Sequence, residues 1–127
     1  MNKTTKKKNR LENILAKIWF DLVLAEYGEV CEVCGERASQ MHHFIPKSRS
    51  RLLRFEKKNG IPLCQKCHYI IHFSSKPSEI HRCVEKIRKG RGKAWCSWID
   101  KKERESLAGT YGIHYLEELI IKLEQQK

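Results

Sequence analysis

With 127 residues, the chain has enough material for one modest core and too little for two independent ones. Lys and Arg number 26 against 15 Asp and Glu, a formal net charge of +11 that argues against an acidic binding surface and points to an anionic partner, with nucleic acid first. No apolar run approaches the roughly 18 residues of a membrane span, and the opening MNKTTKKKNR leads into no signal-peptide cleavage pattern, so a soluble intracellular protein without a membrane partner is expected.

Residues 1–10 hold five basic side chains and no acid, and they are expected to form a flexible basic arm because they cannot offset the entropy of ordering by themselves. From Leu11 to about Tyr27 apolar residues recur near helical spacing, and Gly28 stops the run, which predicts a first helix. Glu29 to Arg37 reads as a cysteine turn. Ala38 to Ile45 suits an extended strand that Pro46 ends. Lys47, Arg49, Arg51, Arg54, Lys57 and Lys58 then crowd one connection against the single acid Glu56, and Asn59-Gly60 marks a turn.

Ile61-Pro62-Leu63 leads into a second cysteine pair, and Gln65 to Phe73 reads as a short helix. Pro77 starts an amphipathic helix whose Ile80, Val84 and Ile87 face the core; it runs into the basic stretch Arg88, Lys89, Arg91, Lys93, where Gly90 and Gly92 break it. Trp95, Trp98 and Ile99 are expected to pack together. Ser106 to Gly112 reads as a turn-rich connection, and Tyr115 to about Glu124 closes the chain as a last helix. The expectation is a single domain over 11–127, with a central unit at about 29–74 and a helical part at about 77–127.

Cys31, Cys34, Cys64 and Cys67 form two C-x-x-C pairs, and in a reducing compartment that spacing reads as metal ligation. Zinc prefers four thiolates in a tetrahedron, and each tight turn presents two. The 29 residues between Cys34 and Cys64 exceed the span of a simple zinc ribbon, so a functional segment is looped out between the pairs. Cys83 and Cys96 fall outside both pairs and read as structural thiols.

Within and just after that loop come His42-His43, Asn59, His68 and His72. On a helix, His68 and His72 stand one turn apart and reach a common cation. On a strand, His42 and His43 point to opposite sides, so one is available to a metal and the other to water or substrate. Phosphodiester hydrolysis needs both a base for the attacking water and a cation for the developing charge.

Residues 31–72, about a third of the chain, resemble the ββα-metal motif of HNH endonucleases clasped by a four-cysteine zinc knuckle. The resemblance implies an α+β fold: a small ββα-metal core held by structural zinc and flanked by N- and C-terminal helices. By position His43 resembles the general base and Asn59 the residue that braces the loop and orients it. His42, His68 and His72 resemble the ligands of a catalytic Mg²⁺ or Mn²⁺, although three imidazoles also suit Zn²⁺ or Ni²⁺. The products implied carry 5′-phosphate and 3′-hydroxyl ends.

The Leu53-Arg54-Phe55 to Asn59 spacing, the cysteine pairs and the small basic chain are also similar to phage recombination nucleases of the Rap/NinG kind. That similarity implies branched DNA as substrate and the cytoplasm of a bacterium or phage-infected host as the setting.

DNA is the expected partner, with Lys47, Arg49, Arg51, Arg54, Lys57, Lys58, Arg88, Lys89, Arg91 and Lys93 contacting phosphates without reading sequence. The sequence leaves monomer and homodimer open. The alternative function is a non-catalytic, zinc-stapled nucleic-acid-binding module; a redox or metal sensor would instead require exchangeable cysteines.

Overall fold

The computed structural model describes residues 1–105 and 109–127. Along the chain come α1 (Lys3–Tyr27), β1 (Gln40–His43), a 3₁₀ turn (Lys57–Asn59), β2 (Gly60–Leu63), α2 (Gln65–Phe73), α3 (Pro77–Arg91), α4 (Lys93–Arg104) and α5 (Ile113–Glu124). The architecture is α+β: one two-stranded antiparallel hairpin set among helices.

Helix α1 begins earlier than the apolar pattern suggests. Residues 3–10, expected as a flexible arm, are its first two turns, with the Asn2 side chain accepting from the Thr5 N–H at 2.8 Å as N-cap. Leu15, Ile18, Trp19, Leu22 and Val23 are buried and nucleate the helix, so adding Lys and Arg residues, good helix formers, costs only propagation. Lys7 also meets Glu117 of α5 at 3.8 Å. Gly28, at φ 98°, ends the helix in a conformation that side-chain-bearing residues avoid.

The strands pair in the register Gln40↔Leu63, Met41↔Pro62, His42↔Ile61 and His43↔Gly60. Strand β1 is shorter than the extended stretch read from the sequence, and Asn59-Gly60 is not a free turn: Asn59 ends the 3₁₀ turn and Gly60 opens β2. All four residues of β2 are buried. Alternation sends Gln40 and His42 toward α2 while Met41 and His43 face α1.

Two clusters make the core. One joins Cys31, Ile45, Ile61, Leu63 and Cys67 to Ile87 of α3 and to Trp95 and Ile99 of α4. The other packs Leu15, Trp19 and Val23 of α1 against Leu116 and Leu123 of α5, with Phe55 and Tyr111. Helix α4 was expected only as a packing cluster; Trp95, Trp98 and Ile99 are the inward stripe of a helix whose charged outer face, Asp100 to Arg104, hid it. Of the connection read at Ser106 to Gly112, residues 106–108 lie outside the described residues, and α5 starts at Ile113 instead of Tyr115.

Gly60 fixes how closely α1 approaches the hairpin. A Cβ there would sit 2.7 Å from Val23 Cγ2 and 2.8 Å from Trp19 Cζ2. Gly60→Ala is therefore expected to force the helix and strand apart and to destabilise the fold by about 1–3 kcal/mol, read as a fall of several degrees in Tm; an unchanged Tm would show the approach to be slack.

Candidate metal centre and active site

The turn before β1 and the N-terminus of α2 bring Cys31, Cys34, Cys64 and Cys67 together, with all four sulfurs within 4.8 Å of one another. Cys34 Sγ and Cys64 Sγ are 3.7 Å apart. Four thiolates at about 2.3 Å from a tetrahedral zinc would be spaced by about 3.8 Å, so the donor set and its size fit such an ion. Burial resists ionisation of Cys31, but the N–H groups of Cys34, Cys64 and Val33 outweigh it and bring the thiol down to about 7. Burial and then the neighbouring thiols push Cys67 up, as expected where several sulfurs cannot ionise together without a cation.

A second cluster joins β1 to α2. His42, His68 and His72 each offer a ring nitrogen within 4.8 Å of the others. His68 Nδ1 donates to Gln40 Oε1 at 2.5 Å, which leaves Nε2 unprotonated and 3.0 Å from His72 Nε2. Two ligands at about 2.1 Å from a cation and at right angles to one another would lie about 3.0 Å apart. His42 is 7% exposed, and its Nδ1 is a buried nitrogen without a hydrogen-bond partner. Burial, then the adjacent imidazoles, draws the His42 pKa down to about 3, and burial lowers His68 as well, so these rings are neutral donors at ordinary pH. A buried imidazole with an unpartnered nitrogen, clustered with two others, fits a metal ion better than a packed core, since leaving such a nitrogen bare costs about 1–3 kcal/mol.

His43 occupies the opposite face of β1. Its Nε2 lies 2.9 Å from the Arg54 carbonyl, which can only accept, so Nε2 carries the hydrogen and Nδ1 keeps its lone pair. Trp19 stacks on the ring at 4.5 Å between centroids and 18° between planes, and is itself held by its Nε1–H on the Glu56 carbonyl at 2.8 Å. Burial is the main reason the His43 pKa falls to about 4; the Arg54 carbonyl opposes that fall and the cationic Lys47 and Arg54 add to it.

Asn59 is fully buried. Its Oδ1 accepts from Ile45 N at 2.8 Å, and its Nδ2 donates to the carbonyls of Ile45 at 3.0 Å and Leu53 at 3.2 Å, closing the loop that carries Arg54.

The basic side chains divide. Lys47, Arg49, Arg51, Lys58, Lys89 and Lys93 are exposed and Lys57 is half-buried. Lys47, Ser48, Arg51, Arg54 and Tyr111 line a pocket of about 390 Å³. Arg54, however, pairs with the buried Glu12, which also accepts from Tyr111 Oη at 2.9 Å. Arg88 makes a two-pronged pair with Asp100, both bonds 2.9 Å.

Arg91 corrects the sequence reading most sharply. Its side chain is 3% exposed, bound to Glu32 at 2.6 and 2.8 Å and lying 3.3 Å from the Tyr27 ring centre. It holds α3 to the cysteine turn and is not free to meet a phosphate. Sequence reasoning also passed over Trp19 and Gln40. Trp19 continues the i, i+4 stripe from Leu15 to Val23, and Gln40 shares a strand face with His42, so both had a periodic signal.

A β-hairpin followed by a helix, with an imidazole trio across the two and a buried Asn closing the loop, defines a ββα-metal unit. Residues 31–74, about a third of the chain, match the HNH endonuclease family as an HNH endonuclease domain. A 46-residue segment is 41% identical to part of a mitochondrial DNA mismatch repair protein mutS homolog from Sarcophyton glaucum, covering 33% of this chain and 5% of that protein. No solved structure matches the chain. No helix among the described residues is long and apolar enough to cross a membrane.

Two outcomes are expected from these contacts. Cys64→Ala, or stripping of metal by a chelator, should abolish metal binding at the cysteines and unfold the hairpin region, seen as lost cooperativity in thermal melts; an unaltered melt would rule out a structural ion. Arg91→Ala strands Glu32 and should cost about 3–5 kcal/mol of stability while leaving the salt dependence of DNA binding unchanged; a shallower salt slope would instead make Arg91 a phosphate contact.

Proposed function

We propose that the chain is a divalent-cation-dependent endonuclease that hydrolyses DNA phosphodiesters with His43 as general base. One observation carries the reading: a single strand holds His42, which has a buried Nδ1 without a partner and offers a ring nitrogen within 4.8 Å of those of His68 and His72, and next to it His43, whose hydrogen is committed to a backbone carbonyl. A purely structural module has no use for an unprotonated, oriented imidazole beside a trio of clustered imidazoles.

In this reading His42, His68 and His72 hold Mg²⁺ or Mn²⁺, and Cys31, Cys34, Cys64 and Cys67 hold structural zinc. The cation, when bound, supplies a Lewis acid that offsets charge on the phosphate and the leaving oxygen. His43 takes the proton of the attacking water at Nδ1, with the Arg54 carbonyl and the Trp19 face fixing the ring. Asn59 acts one step removed by closing the loop that presents that carbonyl. The water oxygen displaces the 3′ oxygen, leaving 5′-phosphate and 3′-hydroxyl ends.

Exposed Lys47, Arg49, Arg51, Lys58, Lys89 and Lys93 attract the backbone, contacts that position DNA without reading its sequence. DNA is preferred over RNA because the mutS homolog that shares the segment is named for DNA mismatch repair. A setting in phage recombination, on branched intermediates, remains part of the proposal through the similarity to nucleases of the Rap/NinG kind.

His43→Ala should lower the cleavage rate about 10²- to 10⁴-fold while metal content and DNA affinity stay as in the parent, and end-labelled products should bear 5′-phosphates. Undiminished cutting by that variant, or 3′-phosphate ends, would reject His43 as the base.

A further inference from the structure

Helix α2 leaves two aromatic rings uncovered. Tyr69 is 64% and Phe73 70% exposed, one turn apart, with ring centroids 5.1 Å from each other. The apolar face of the helix is used elsewhere: Cys67 is buried and Ile71 packs against the core. Nothing in the fold needs the two rings outside, and large exposed aromatics placed together mark a contact surface.

Their position is specific. The same helix supplies His68 and His72, and the Phe73 ring centroid is 6.0 Å from that of His72, so the aromatic pair begins where the imidazole trio ends.

The chemistry around the rings selects the occupant. Helix α2 has no acidic residue, and the exposed residues along it and just beyond are Gln65, Lys66, His72, Ser75 and Lys76, polar or cationic, with one acid, Glu36 of the cysteine turn, lining the same pocket as Tyr69. A protein partner or a second copy would need an apolar rim and far more area than two rings, since stable interfaces bury upwards of about 1,200 Å². A nucleobase needs only a flat ring beneath it and a cation near its phosphate, and base–aromatic stacking tolerates any sequence. Paired bases hide their faces inside the duplex, so rings on a helix surface serve only a strand whose bases are unpaired.

We propose that Tyr69 and Phe73 form a base-stacking platform for unpaired DNA next to the histidine metal centre, giving the domain a preference for single-stranded or frayed substrates. The proposal takes the substrate class from the nuclease reading, but it concerns binding and does not require turnover.

The test is fluorescence anisotropy with a labelled 16-nucleotide single strand and the matching blunt duplex, using the full-length chain with His43→Ala so that DNA survives the titration. Tyr69→Ala with Phe73→Ala should weaken single-strand binding about tenfold for each ring removed, leave duplex binding within about twofold, and leave the slope of log affinity against log salt unchanged, because no phosphate contact is lost. Tyr69→Leu with Phe73→Leu keeps apolar bulk without a π-face and should lose nearly as much; both pairs should melt like the parent, the side chains being exposed.

Equal losses on single strand and duplex, no loss at all, or full affinity in the leucine pair would overturn the platform. Wild-type protein that cuts no DNA under any divalent cation, yet keeps the ring-dependent single-strand preference, would uphold the platform and reject the nuclease reading.

Discussion

The carbonyls of residues 53–60 are the constraint on which the histidine-bearing half of the molecule depends. This connection satisfies only part of its own backbone, Leu53 O accepting from Glu56 N and Glu56 O from Asn59 N, and its carbonyls draw further donors from the side chains around it. Each donor comes from a different element: Asn59 reaches Leu53, His43 of β1 reaches Arg54, Trp19 of α1 reaches Glu56, Trp95 of α4 and Arg91 of α3 reach Lys58, and Arg91 also reaches Gly60. The segment thereby fixes His43, aligns the tryptophan that stacks on it, and anchors the C-terminal helices in a single set of hydrogen bonds.

The two metal-type clusters sit on either side of this arrangement and do different work. The cysteines tie the turn before β1 to the start of α2, so they set where α2 begins and hence where His68 and His72 stand relative to His42. Asn59 closes the other end of the loop. Between these fixed ends the hairpin is only four residues long, and its alternation alone puts one histidine toward α2 and the next toward α1. A four-residue pair of strands would not hold its register unaided; the tight approach of Trp19 and Val23 at Gly60 and the cysteine cluster supply what it lacks.

What the sequence made legible was local. The C-x-x-C turns, the H-x-x-x-H of α2 and the adjacent His42-His43 announce their geometry through fixed spacing, and the structure brings each set together. What it hid was long-range. The ten basic residues looked alike as exposed charge, yet Arg54, Arg88 and Arg91 meet Glu12, Asp100 and Glu32, partners 42, 12 and 59 positions away that no window could pair. The first ten residues looked like an arm because their own composition cannot order them, whereas the buried half of α1 does. Tyr69 and Phe73 looked like ordinary helix residues until the inward face of α2 was known.

The central claim is that the histidine trio needs a cation for DNA to be cut, separately from any ion at the cysteines. The direct measurement is the cleavage rate of supercoiled DNA by protein already loaded at the cysteine site, as Mg²⁺ or Mn²⁺ is titrated in after brief treatment with a weak chelator. Cutting should be absent at the start and rise saturably with added cation. Cutting that persists without added cation, or none at any concentration of either metal, would contradict the claim.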